Sequence, residues 1–186
     1  PYHEYILHII RDIDPEVAKT LAVNFFINAG LSGWPKQEAN RAKYNCNIPW
    51  TILMDPTSAC NLHCTGCWAA EYGNKLNLSF EEIDSIITQG KKLGIYMYIY
   101  TGGEPLVRKK DLIRICEKHE DCVFLCFTNA TLIDEEFADE MLRVRNFIPA
   151  ISLEGDEAST DARRGKGTYQ KVRKAMELLH EKKLPY

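Results

Sequence analysis

Three thiols stand within eight positions, Cys60, Cys64 and Cys67, in the stretch SACNLHCTGCWAAEYG (58–73), with His63 between the first two. A disulfide uses two thiols, and a closed zinc site wants four ligands. Soft thiolates select zinc, copper(I) or iron–sulfur clusters. Spacings of three and two residues let one tight loop wrap a compact group, with Gly66 allowing the backbone to turn beside it. Three ligands leave one metal position without a protein donor. Two other readings compete. Free cysteines can be small buried hydrophobes, but Asn61, His63 and Thr65 make this loop polar. A Cys3His zinc site could use His63, although zinc ribbons set two ligand pairs a dozen or more residues apart, and no second pair lies at that distance.

The elements around the loop decide what else can reach it. Strands are expected at WTILMDPT (50–57), IYMYIY (95–100), CVFLCF (122–127) and FIPAISL (147–153), the last with an awkward Pro149. Between and after them run helices. One starts at the capping box Ser79/Glu82 and reaches about Leu93; others cover 109–118, about 134–144 and 168–183. From residue 50 this is β-α four times over, hence parallel strands in an α/β sheet or barrel. Residues 1–48 form a helical, amphipathic extension. Asp14-Pro15-Glu16 starts a helix, Gly30 and Gly33-Trp34-Pro35 break it, and a polar second helix follows at 36–45.

In parallel α/β folds, ligands bind beyond the carboxyl ends of the strands. Here the cysteines follow the first strand, and Thr101-Gly102-Gly103-Glu104-Pro105 follows the second. Thr128-Asn129-Ala130 follows the third, and Ser152-Leu153-Glu154-Gly155 lies at the end of the fourth. Four polar or glycine-rich segments thus share one rim.

Cys-x3-Cys-x2-Cys after the first strand, then Gly-Gly-Glu-Pro after the second, resembles the radical S-adenosylmethionine (radical SAM) enzymes over roughly residues 49–184. The resemblance implies a partial (βα) TIM-like barrel, with four units here of the usual six. It implies a [4Fe–4S] cluster held by Cys60, Cys64 and Cys67, whose open iron chelates the amino and carboxylate groups of S-adenosylmethionine. One-electron reduction of the sulfonium would release a 5′-deoxyadenosyl radical acting on a substrate that the sequence does not identify, with flavodoxin or ferredoxin as the low-potential electron donor. It further implies that Gly102 and Gly103 let strand-end carbonyls approach the methionine ammonium and that Glu104 adds negative charge. Ser152 and Glu154, two apart on a strand and so on one face, would hydrogen-bond the ribose. Asn129 matches the polar position after the third strand, and Arg164 the arginine that pairs with the methionine carboxylate, with Arg163 adjacent. Many relatives carry an aromatic residue where this chain has Gly66, so adenine packing falls to Trp68 or Tyr72. A radical SAM fold without activity is a third reading, beside the enzyme and the zinc module.

The remaining features constrain the setting. A net charge of −3 with 26% charged residues offers no polyanion-binding surface and argues against RNA. Seven cysteines without scaffold spacing and no visible signal peptide indicate a reducing, cytoplasmic compartment. The apolar run LAVNFFI (21–27) is far short of the eighteen or so residues of a membrane span, and packing is its expected role. Cys122 and Cys126 repeat the x3 spacing, but in a strand, with Phe124 on the same face and Cys116 nearby; they read as core. The histidines His3, His8, His119 and His180 read as surface residues, and the tyrosines of IYMYIY as strand packing, with a cavity-lining role open to those facing inward. The chain opens on Pro1 and closes on KKLPY, as expected of part of a longer protein.

Overall fold

A computed structural model describes Glu4, Leu7 and residues 11–186. The readings of His3 and His8, and of most of the first ten residues as helix, lie outside the described residues. Helix α1 (Pro15–Ala22) begins as its sequence dictates, with the Asp14 side chain accepting from the Glu16 and Val17 N–H groups. A π-helical stretch, Val23–Ser32, then leads directly into α2 (Gly33–Tyr44). The expected break at Gly30 and Gly33 is therefore absent. Gly33 serves close packing instead, since a Cβ there would stand 2.5 Å from the carbonyl oxygen of Gly94.

Strands β1 (Thr51–Met54), β2 (Met97–Tyr100), β3 (Val123–Thr128) and β4 (Phe147–Ile151) form one sheet in that order, each pair parallel. Helices α3 (Phe80–Leu93), α4 (Lys109–Lys118) and α5 (Glu135–Val144) connect them. The Ser79/Glu82 capping box is formed, and Asp134 caps α5 by accepting from the Phe137 N–H. Helix α6 (Glu157–Arg164) was not expected; it precedes α7 (Thr168–Glu181). Four consecutive βα units thus build one wall of a TIM-like barrel.

The register sorts side chains into two faces, because neighbours alternate along a strand. Ile52, Tyr98, Phe124 and Phe147 lie in one line, and Met54, Tyr100, Cys126 and Pro149 in another. This face is the core: Tyr98, Tyr100, Phe124 and Cys126 are wholly buried. Tyr98 and Tyr100 flank Phe124, with ring centroids 5.8 and 5.7 Å away, and the Tyr98 hydroxyl donates to Ile87 and Ile95 carbonyls. These two tyrosines are packed in the core, as strand packing predicts. The opposite face carries Leu53, Ile99, Leu125 and Ile148, and Leu53 and Phe127 are about half exposed.

Pro149 fits because of where its missing donor falls. The Ser152 N–H donates to Thr128 O, so even-numbered donors of β4 face β3 and position 149 faces the outer edge, where proline is tolerated. The N-terminal helices dock at the other end of the strands. Asn24 is buried and donates to Glu120 and Cys122 carbonyls at 2.8 Å, just before β3, and Phe25 meets Trp50 edge-on. His119 is also buried rather than on the surface, its Nε2 2.9 Å from Asp84 Oδ1, because it closes α4 against α3; His180 is exposed as expected.

Candidate cofactor site

The loop that leaves β1 at Asp55 and returns at α3 is laid against the turn after β2 by backbone bonds. The Gly103 N–H donates to Thr57 O (3.0 Å) and the Glu104 N–H to Ala59 O (2.8 Å). The contact leaves no room for side chains: a Cβ on Gly103 would stand 2.2 Å from Ala59 O, and one on Gly102 2.7 Å from Thr57 O. The glycine pair is therefore demanded first by the cysteine loop itself, whatever ligand approaches its carbonyls.

Glu104 follows and is buried. One of its oxygens accepts from the Thr128 hydroxyl (2.7 Å) and the Leu106 N–H (3.0 Å), the other from the Asn129 N–H (2.7 Å). Burial pushes its carboxyl up, while these donors and the charge of Arg164 pull the other way. The acid thereby staples the end of β2 to the end of β3. Asn129 continues the chain of contacts. Its Oδ1 accepts from the Thr131 N–H and hydroxyl, its Nδ2 donates to Asn61 Oδ1 (2.9 Å), and Asn61 Nδ2 donates to Thr131 Oγ1 (2.8 Å). Asn61 lies immediately after Cys60, so this bracket holds the first arm of the cysteine loop. The second arm is held at Thr65, whose N–H donates to Arg163 O (2.8 Å).

A hollow of about 260 Å³ at the strand ends collects the three cysteines, Trp68, Gly102, Gly103, Glu104, Asn129, Ser152, Arg163 and Arg164. Two expected residues stand outside it. Gly66 takes a left-handed turn (φ 69°) with nothing within reach of a Cβ. Glu154 is displaced because β4 ends at Ile151, before the alternation could carry Ser152 and Glu154 onto one face. Its Oε1 instead accepts from Arg164 Nη2 (2.6 Å) and Nε (2.9 Å) and from Arg163 Nη1 (2.7 Å). Those guanidinium groups, Arg164 first, hold its carboxyl below the usual range. Trp68 is 59% exposed, meets Tyr72 edge-on at 5.8 Å, and divides this hollow from a larger one of about 440 Å³ that Asp55, Tyr72 and Lys75 also line.

The thiols are free and half-buried. Burial pushes the Cys60 thiol up, a neighbouring N–H opposes that, and the charges of Glu104 and the other two cysteines add to it. His63 shares a separate hollow with the three cysteines. Among the described residues, no three His, Cys, Asp or Glu side chains converge on one point. The three thiols line the hollow together with one buried acid, Glu104, and two arginines, Arg163 and Arg164.

Residues missed from sequence were Asn61, Thr131, Arg163 as a loop contact, and Asp161, whose carboxylate accepts from Gly167 and Tyr169 N–H groups and fixes the turn after Arg164. The available signal was the recurrence of amide and hydroxyl residues in separate strand-end loops.

The sequence matches the Radical SAM superfamily over residues 54–186. An uncharacterized protein of Archaeoglobus fulgidus is 34% identical over 146 residues, covering 76% of this chain and 34% of that one. Fe-coproporphyrin III synthase of Methanosarcina barkeri is 32% identical over 125 residues, covering 63% and 31%. The solved structure of native anSMEcpe with bound AdoMet and Cp18Cys peptide superposes with a TM-score of 0.62 at 26% identity, covering 73% of this chain and 41% of that one. The chain spans about a third of the length of these curated relatives.

Proposed function

The chain belongs to the Radical SAM superfamily, and on that premise we propose that it binds a [4Fe–4S] cluster and S-adenosylmethionine at the strand-end hollow and acts as a radical SAM enzyme on a substrate still to be identified. The observation that carries this reading is the single hollow shared by Cys60, Cys64, Cys67, the Gly102-Gly103-Glu104 turn and Arg164. When bound, the two cofactors supply a one-electron reductive cleavage of the sulfonium S–C5′ bond and, with it, hydrogen-abstraction chemistry.

The chain's own residues bind, orient and shield. Cys60, Cys64 and Cys67 ligate as thiolates, and Cys60 must shed a proton that its burial favours, so loading releases protons. The carbonyls of Gly102 and Gly103 and the charge of Glu104 would receive the methionine ammonium. Arg164 would hold the methionine carboxylate, for which it would have to exchange away from Glu154. Ser152 and the released Glu154 address the ribose, Asn129 holds the loop from which the ligand hangs, and Trp68 offers an apolar wall to adenine. The larger hollow beside Trp68 opens onto the same rim and gives a substrate access. A flavodoxin or ferredoxin supplies the electron, and the free thiols suit a reducing cytoplasm. Among the described residues no helix is long and apolar enough to cross a membrane.

Anaerobic reconstitution with iron and sulfide, followed by dithionite and S-adenosylmethionine, tests the reading. Expected are a brown protein with about four irons per chain and release of 5′-deoxyadenosine. A colourless protein that keeps stoichiometric zinc through purification would falsify it in favour of the zinc module. Iron loading without 5′-deoxyadenosine marks a cofactor-binding fold that lacks the activity.

A further inference from the structure

We propose that Arg163 is a positioning residue that ties the cysteine loop to the helix presenting Arg164, so that the cluster side and the methionine side of the site are held as one body; the role in ligand binding rests on the reading above. Arg163 reaches three places at once. Its carbonyl accepts from the Thr65 N–H (2.8 Å), its Nε donates back to Thr65 O (3.4 Å), and its Nη1 donates to Glu154 Oε1 (2.7 Å). Thr65 lies between Cys64 and Cys67, so this two-way contact fixes the arm of the loop that carries the last two thiols. Asn61 fixes the first arm from another element altogether.

The division of labour between the adjacent arginines follows from exposure and contacts. Both arginines line the hollow; the Arg164 side chain is 14% exposed, and its guanidinium donates to Glu154. The Arg163 side chain is 46% exposed and is the one that also holds the loop. When Arg164 turns toward a ligand carboxylate, Glu154 would be left without a counter-charge, and a partly buried carboxylate stripped of its partners is unfavourable. Arg163 stays behind on that same oxygen. It thus makes the exchange at Arg164 possible while keeping the loop in place. An ion pair this exposed adds little to folding stability, so the contact's effect falls on geometry.

The test uses the full chain and the variants Arg163→Ala and Arg163→Lys, with melting temperature as the folding control. In the metal-free protein, amide hydrogen exchange of the segment 58–73 reads the clamp without any cofactor. Both variants keep the main-chain bond from the Thr65 N–H to the carbonyl of residue 163. Exchange several-fold faster than wild type is expected in Arg163→Ala, which loses both side-chain contacts, with Arg163→Lys between the two, because lysine keeps a charge for Glu154 but loses the Nε contact to Thr65 O. In the iron-loaded, dithionite-reduced protein, the change that S-adenosylmethionine makes to the cluster's electron paramagnetic resonance spectrum reads affinity. About tenfold weaker binding is expected in Arg163→Ala at unchanged iron content, with partial recovery in Arg163→Lys. Wild-type exchange and wild-type affinity in Arg163→Ala would overturn the proposal. If wild-type protein fails to load iron, the cluster reading is what falls, and the exchange measurement still decides the clamp.

Discussion

Two cysteine trios divide this chain, and both contain a pair with three residues between them. Cys60, Cys64 and Cys67 sit half-buried in a loop whose backbone is tied down by Gly103 and Arg163 and whose Asn61 side chain is held by Asn129. Cys116 on α4, Cys122 in the lead-in to β3 and Cys126 within β3 are wholly buried in the same core as Phe124 and Tyr100. Burial drives the thiols of this second trio far up, which removes them from ligand chemistry, since the thiolate is the ligand. The comparison teaches that spacing acquires meaning only through the element that carries it. On a loop, x3 curls sulfurs around one hollow. On an extended strand, it stacks them along one buried face.

The comparison is broken most severely by removing thiols one at a time. Cys60→Ala, Cys64→Ala or Cys67→Ala is expected to abolish bound iron after reconstitution while leaving the melting temperature of the metal-free chain nearly unchanged. Cys126→Ala is expected to do the reverse, keeping iron at the wild-type level and costing on the order of 1–2 kcal/mol in a urea melt. Iron loss in the Cys126 variant would erase the distinction between the trios. A second effect, smaller on iron loading than loss of a thiol, arises at the turn that holds the cysteine loop. Gly103→Ala forces a Cβ into Ala59 O, and a loss of about 2–3 kcal/mol is expected in the same melt, together with impaired iron loading. A neutral Gly103→Ala would show that the loop is free to move away from the sheet.

The smallest expected effect lies in the helical layer. Burial lowers the His119 pKa, with Asp84 opposing and Lys91 adding to the depression. A histidine depressed in the fold is neutral there, yet charges in the unfolded chain near pH 6.5. Its contribution therefore falls as pH drops from about 7 toward the lower folded value. Urea melts of His119→Gln should be flatter than wild type over that window, whereas the exposed His180→Gln should keep the wild-type slope. Equal slopes for all three would remove His119 from the buried set.

Legibility in the sequence followed locality. The caps at Asp14, Ser79 and Asp134, the four strands and the three crossover helices could be read because propensity and capping act within a few residues. The strand-end rim could be read because parallel topology puts successive strand ends on one side. Helix α6 could not, because of its eight residues only Thr160 is buried and no apolar period announces it. Its signal was Asp156, which caps it by accepting from the Ser159 N–H. The loop brackets were invisible for another reason: Asn61 meets Thr131 and Thr65 meets Arg163 across 70 and 98 residues. His119 was misjudged because a helix end looks solvated until its neighbour, α3, is placed.

The brackets at Asn61 and Thr65 have a consequence for how the site is assembled. Neither uses a cysteine sulfur; both are made by amide, hydroxyl and guanidinium groups and by backbone. Fixing a backbone residue costs roughly 1–2 kcal/mol in conformational entropy, and for the loop through Thr65 that ordering is met by the folding of the sheet and α6. In small zinc modules the opposite holds, and metal binding itself must drive the ordering. Here an incoming metal group would meet a loop whose path is already drawn and would have only side-chain rotors left to arrange.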